Sequence, residues 1–128
     1  MSSSVPLLLL ALCGLAAAQG GVRVFNLRAT GLPADALGIA DGYVKVFSGQ
    51  ASLGKTSTLH NQINPWWEEE FVYRNALEND ILRLEVYDRD LIFDDRLGVC
   101  SMQMKKGSFD HQCALDEGGS LYYSYTLS

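Results

Sequence analysis

Six aspartates crowd two short stretches of the chain. Asp35 and Asp41 bracket the run A-L-G-I-A, and Asp88, Asp90, Asp94 and Asp95 fall within Y-D-R-D-L-I-F-D-D-R-L-G. Like charges a few ångströms apart raise one another's pKa and oppose a compact loop unless a cation joins them. Asp is a common turn residue, so two of the six would mean little. A D-x-D pair followed four and five residues later by a D-D pair is hard to explain by turns alone. Calcium takes about six to eight oxygen ligands and tolerates flexible carboxylates, and Asp holds its oxygens close to the backbone. No Cys-His cluster offers a zinc site, and the EF-hand spacing with its closing Glu is absent. The expected cofactor is therefore Ca2+, with Asp35, Asp41, Asp88, Asp90, Asp94 and Asp95 as candidate metal residues.

These loops need a scaffold. Short apolar-alternating runs recur, separated by Gly, Asp, Asn and Pro, and no helical period is sustained. They predict strands over residues 22–29, 42–47, 53–58, 70–73, 81–87, 98–104, 109–115 and 121–127. The fold class is all-β, an eight-stranded antiparallel β-sandwich. The clearest strand is Ile81–Tyr87, in which Leu82, Leu84 and Val86 share one face. Leu121, Tyr123, Tyr125 and Leu127 make a similar face near the C-terminus.

The domain begins after a leader. Val5–Ala18 is an apolar run short of the ~20 residues that a membrane span needs, and Ala16 and Ala18 offer a cleavage site before Gln19. The first four residues contain no Lys or Arg, so the α-amino group must supply their charge. Residues 1–18 are expected to be a signal peptide and residues 19–128 the secreted domain. Cys13 would leave with the leader, and Cys100 and Cys113 would remain in an oxidising compartment. A hairpin turning at Lys106-Gly107 sets Cys100 opposite Cys113, so a disulfide between them is expected. In the chain-entropy model such a bond contributes about 3 kcal/mol.

Three runs carry a family resemblance: A-D-G-Y-V-K-V-F, N-P-W-W-E-E-E-F, and L-R-L-E-V-Y-D-R-D…D-D-R-L-G. In this order, and at this spacing, they resemble the C2 domain family over residues 22–127. The leader, the acidic third loop and the L-G-V-C…H-Q-C-A-L cysteine pair are most similar to perforin-type C2 domains. The resemblance implies calcium loops gathered at one end of the sandwich and a calcium-dependent phospholipid-binding role. It matches Asp35, Asp41, Asp88, Asp90 and Asp95 to the family's coordinating carboxylates, with two or three ions bound. The third loop is one residue shorter than the usual pattern, so either Asp94 or Asp95 takes the last position. Asp95, directly before R-L-G, is the expected one.

Between these aspartates stand Leu91, Ile92 and Phe93, three consecutive bulky apolar residues at the expected loop tip. With Leu37 and Ile39 of the first loop they are candidate membrane contacts. Buried in lipid they could each yield up to about 1.5–3 kcal/mol. Arg89 could pair with its neighbouring aspartates or reach a phosphate, and Lys45 and Lys55 could touch headgroups. Residues 59–63 should form a second loop beside these, with His60 exposed. Trp67 is expected in the core.

The chain has 15 acidic and 10 basic residues, net −5, which disfavours nucleic acid as a partner. No catalytic constellation is present: the two histidines, His60 and His111, lie apart, and no nucleophile elbow or phosphate loop occurs. The expectation is a non-enzymatic, secreted, monomeric module, peripheral on phospholipid membranes when calcium is bound, with a link to perforin-like immune defence but no pore-forming part. The alternative is a protein-interaction module whose loops calcium merely orders.

Overall fold

The computed structural model describes residues 20–128. The expected signal segment, residues 1–18, and Cys13 lie outside the described residues. In chain order the strands are β1 (Val22–Thr30), β2 (Ala34–Asp35), β3 (Gly38–Ile39), β4 (Gly42–Ser48), β5 (Ala51–Lys55), β6 (Phe71–Tyr73), β7 (Ile81–Asp88), β8 (Asp95–Gln103), β9 (Gly107–Ala114) and β10 (Ser120–Leu127). Eight of them build two four-stranded antiparallel sheets, ordered β6-β1-β10-β9 and β5-β4-β7-β8. The expected antiparallel sandwich is present. The other two strands add a small ladder inside the first aspartate loop, pairing Ala34 with Ile39 and Asp35 with Gly38.

The core lies between the sheets, and the period-two pattern selects it. Leu82, Leu84 and Val86 of β7 are fully buried beside Val44 and Val46 of β4. From the other sheet Val22, Val24, Leu121, Tyr123, Tyr125 and Leu127 close over them. Burying a Val or Leu side chain contributes roughly 1.5–3 kcal/mol. Trp67 is also buried, as expected, and its indole Nε1 donates to the Gly42 carbonyl at 3.0 Å. Gly42 is needed there: a Cβ at this position would come within 3.0 Å of Leu32 and 3.2 Å of the Trp67 ring. Trp66 stays exposed.

The disulfide joins Cys100 to Cys113 with their Cα atoms 6.0 Å apart. The hairpin that predicted it is not there. β8 pairs with β7 and β9 pairs with β10, so the two cysteines belong to different sheets. Met104 explains the difference. It is fully buried, its N–H donates to the Asp80 carbonyl, and its own carbonyl accepts from Asn79, which ties it to the sheet of β7 and β8. The next residue crosses over: the Lys105 N–H donates to the Tyr125 hydroxyl of β10, in the other sheet. A hairpin and a corner between sheets both fold the chain back about the same point, so counting outward from the turn gives the same cysteine pair in either case.

Three strand ends then meet at one end of the sandwich. β4 starts just after Asp41, β7 ends on Asp88 and β8 begins on Asp95. A register shift between Val86 and Tyr87 brings Asp88 directly opposite Asp95, and Gly42 pairs with Asp88 on the other side.

Candidate metal centre

Local backbone chemistry fixes each aspartate. Asp35 Oδ1 accepts the Leu37 N–H at 2.8 Å, a two-residue Asx turn. Gly38 follows at φ 123°, a conformation that favours glycine, and lets the small ladder close. Asp88 Oδ1 accepts the Asp41 N–H at 2.8 Å, binding the end of β7 to the start of β4. Asp41 Oδ1 accepts the Asn61 N–H at 2.6 Å from the second loop, and Asp90 Oδ1 accepts the Leu91 N–H at 2.6 Å. Asn61 also accepts the Ile39 N–H through its Oδ1 at 3.2 Å, so one residue of the second loop ties down the first. Sequence reasoning missed Asn61. Its one local signal is an asparagine in a loop, and here that residue adopts φ 56°.

One pattern runs through Asp35, Asp41, Asp88 and Asp90. Each carboxylate rests one oxygen on a backbone amide, and no hydrogen bond among the described residues engages the other oxygen. These four residues line one open cavity of about 570 Å³ with Leu37, Ile39, His60, Asn61, Arg89 and Leu91. Asp95 lies on the adjoining side, where it shares a second cavity with Asp35 and Asp88. Burial pushes the Asp88 carboxyl above the usual carboxylate range; the Asp41 amide pulls it partly back, and the charges of Asp35, Asp41 and Asp95 push it up again.

Asp94 stands apart. Its Oδ2 accepts the Tyr43 hydroxyl on the outer face of the sheet, and its Oδ1 accepts the Asp90 N–H at 3.1 Å. The Tyr43 bond is the main cause that holds its carboxyl below the usual range. Tyr43 stacks on Tyr87 with ring centroids 5.4 Å apart. Lys55 Nζ lies 5.5 Å from the Tyr43 ring and Lys45 Nζ 4.5 Å from the Tyr87 ring, so both lysines sit over aromatic faces on that side.

Positive charge near the cluster is sparse. Exposed His60 places Nδ1 3.5 Å from Asp41 Oδ2, and among the described residues none of the six aspartates is within ion-pair distance of an Arg or Lys. Arg89 is exposed at the cavity and donates its backbone N–H to the Asp41 carbonyl at 2.9 Å. Among the described residues no three His, Cys, Asp or Glu side chains close around a common point as they stand. The donor set is nonetheless all hard oxygen: four carboxylates, part-buried Asp88 among them, each keep one oxygen free of hydrogen bonds, and that of Asp41 faces only exposed His60. That composition suits calcium and not a soft-ligand metal.

The rim of this cluster is apolar. Leu91 is 98% exposed, Ile92 88%, Leu37 80% and Phe93 69%. Ile39 differs and is half-buried. Side chains of this kind standing in water next to one another mark a contact surface.

A family model described as C2 domain matches residues 20–121. Perforin-1 from Homo sapiens is 37% identical over 100 residues, which cover 76% of this chain and 18% of perforin-1. A calcium-dependent lipid-binding protein from Arabidopsis thaliana is 30% identical over 88 residues, covering 67% of this chain and 17% of that protein. The chain thus spans less than a fifth of these relatives. A solved structure described as a C2 domain superposes with a TM-score of 0.82 at 60% identity, covering 85% of this chain and 98% of that one. The family model covers most of the chain, and the chain belongs to the C2 domain family.

Proposed function

We propose that this protein is a secreted module that binds phospholipid membranes in response to calcium. The observation that carries the reading is the loop end itself. Asp35, Asp41, Asp88 and Asp90 each keep one oxygen open around a shared cavity, and Leu37, Leu91, Ile92 and Phe93 are exposed beside it. Asp95 is the fifth metal residue, because it faces Asp88 while Asp94 is engaged by Tyr43. Calcium bound there would neutralise the acidic pole and offer coordination positions to lipid phosphate. The chain's own part is to hold the carboxylates by backbone amides, to present the apolar tip, and to leave Arg89 at the rim. Sites in extracellular modules have dissociation constants of about 10⁻⁴–10⁻³ M, and that range is expected here. The apolar run over residues 5–18, read as a leader, and the likeness to perforin-1 support an extracellular, defence-related setting.

Co-sedimentation with phosphatidylcholine/phosphatidylserine liposomes tests the reading. Pelleting with calcium and none with chelator is the expected result. Calcium binding without pelleting would leave the apolar tip as a protein contact, and pelleting equally strong in chelator would overturn the calcium requirement.

A further inference from the structure

The sandwich has four edge strands, and three of them are blunted. β6 is only three residues long. β5 has five residues, a register shift against β4 and Lys55 at its end. β8 carries a register shift against β7, and Arg96 near its start. β9 is neither short nor shifted and carries no basic residue other than His111. Its eight residues, G-S-F-D-H-Q-C-A, contain no Lys, Arg or Pro, and all pair with β10 without a shift. Asp110 is its one charged residue apart from His111, and long, regular edges without lysine or proline are templates for another strand.

The direction of its free groups can be read off. Just beyond β9 the Leu115 N–H donates to the Gly119 carbonyl at 2.9 Å, so Leu115 faces β10. Backbone groups alternate along an antiparallel ladder. Gly107, Phe109, His111 and Cys113 therefore face β10, while Ser108, Asp110, Gln112 and Ala114 turn their N–H and C=O groups outward. Among the described residues these outward groups have no backbone partner.

We infer that β9 is a self-association edge, pairing antiparallel with β9 of a second copy in a register centred on His111. Chemistry selects that register. A continuous sheet requires facing side chains to share a face. Centred on Asp110, the pairing would set two aspartates directly opposite, which is destabilising. Centred on Gln112, it loses one of the four hydrogen-bonded pairs. Centred on His111, it keeps all four, matches Ser108 with Ala114 of the second copy, and places Asp110 opposite Gln112 of the second copy twice over. Asp110 is already oriented for this: its Oδ1 accepts the Ser124 hydroxyl at 2.6 Å, which leaves Oδ2 for an amide donor. The register departs from the monomer expected from sequence. It also sets the two loop ends at opposite poles of the pair, so one pair could meet two surfaces.

Sedimentation of the mature protein in chelator, without lipid, tests this independently of the calcium reading. A concentration-dependent dimer is expected. Gln112→Lys, opposite Asp110, should tighten it by about three- to tenfold, and Gln112→Glu should weaken it by a similar factor. The same two changes at Gln50, on the exposed turn between β4 and β5, alter net charge equally and should leave association unmoved. A monomer up to high micromolar protein, or equal effects at Gln50 and Gln112, would overturn the proposal.

Discussion

The two ends of the sandwich anchor acidic residues alike but crowd them differently. At the end away from the metal candidates, Asp80 Oδ2 accepts the Leu77 N–H at 2.9 Å and Glu78 Oε2 accepts the Lys106 N–H at 3.3 Å. There Lys105 Nζ reaches Asn79 Oδ1 at 2.6 Å. Among the described residues no Lys or Arg lies within ion-pair distance of Asp80 or Glu78, so this end too is held by amides. At the loop end the aspartates have backbone amides for one oxygen each and only exposed His60 within ion-pair distance. The ends differ in crowding: Asp80 is anchored in the same way but stands without a second aspartate, whereas Asp35, Asp41, Asp88 and Asp90 share one cavity. A fold does not need four carboxylates around one cavity, which is why the loop end reads as a site.

The scaffold and the site can be separated experimentally. Replacing Cys100 and Cys113 with serine should cost about 3 kcal/mol of stability in either buffer, because the bond joins the sheets and not the loops. The melting temperature would fall while the rise caused by calcium stays; loss of both would show that the loop end depends on the inter-sheet joint. Asp41→Asn combined with Asp88→Asn should remove the calcium response, about 2.7 kcal/mol at a hundredfold excess over the dissociation constant. Asp80→Asn at the far end should leave it intact, and equal losses at the two ends would erase the distinction drawn above.

Smaller effects sharpen the picture within the loop end. Phe93→Ala should weaken calcium-dependent liposome binding by up to about 1.5–3 kcal/mol, an upper bound for one apolar side chain. Calcium affinity in solution should not change; if it does, the tip is packing the site and not contacting lipid. Asp95→Asn should lower calcium affinity more than Asp94→Asn, and the reverse order would return Asp94 to the ligand set. Acid supplies the last test. The Asp88 carboxyl is raised by burial and its neighbours, so its ionised form costs stability in the folded protein. As pH falls through its folded value, above the ordinary carboxylate range, that cost is lifted in chelator. Protons meanwhile compete with calcium for the same oxygens. The gap between melting temperatures with calcium and with chelator should therefore narrow from neutral pH toward about pH 5.

Much of this was legible in the residues. Strict alternation found β7 and β10, because a buried face every second residue leaves few other readings. The aspartate spacing found the loop end before any coordinates did. Local patterns could not show the rest. The ladder of β2 and β3 has two residues a side, too few for a period. The engagement of Asp94 by Tyr43 spans β4 and the third loop, and only the assembled sheet brings them together. Counting outward from Lys106-Gly107 paired the correct cysteines in the wrong sheet, since the count is blind to which sheet a strand joins. Asn61 became visible only when its amide met Asp41.

The most direct measurement is a calcium titration of the mature protein by calorimetry, paired with its melting temperature in calcium and in chelator. The account predicts binding heat with more than one ion per chain and a higher melting temperature in calcium. No heat and no thermal shift at millimolar calcium would contradict it, and the open oxygens at the loop end would then be solvated carboxylates of a C2 domain that has lost its cation.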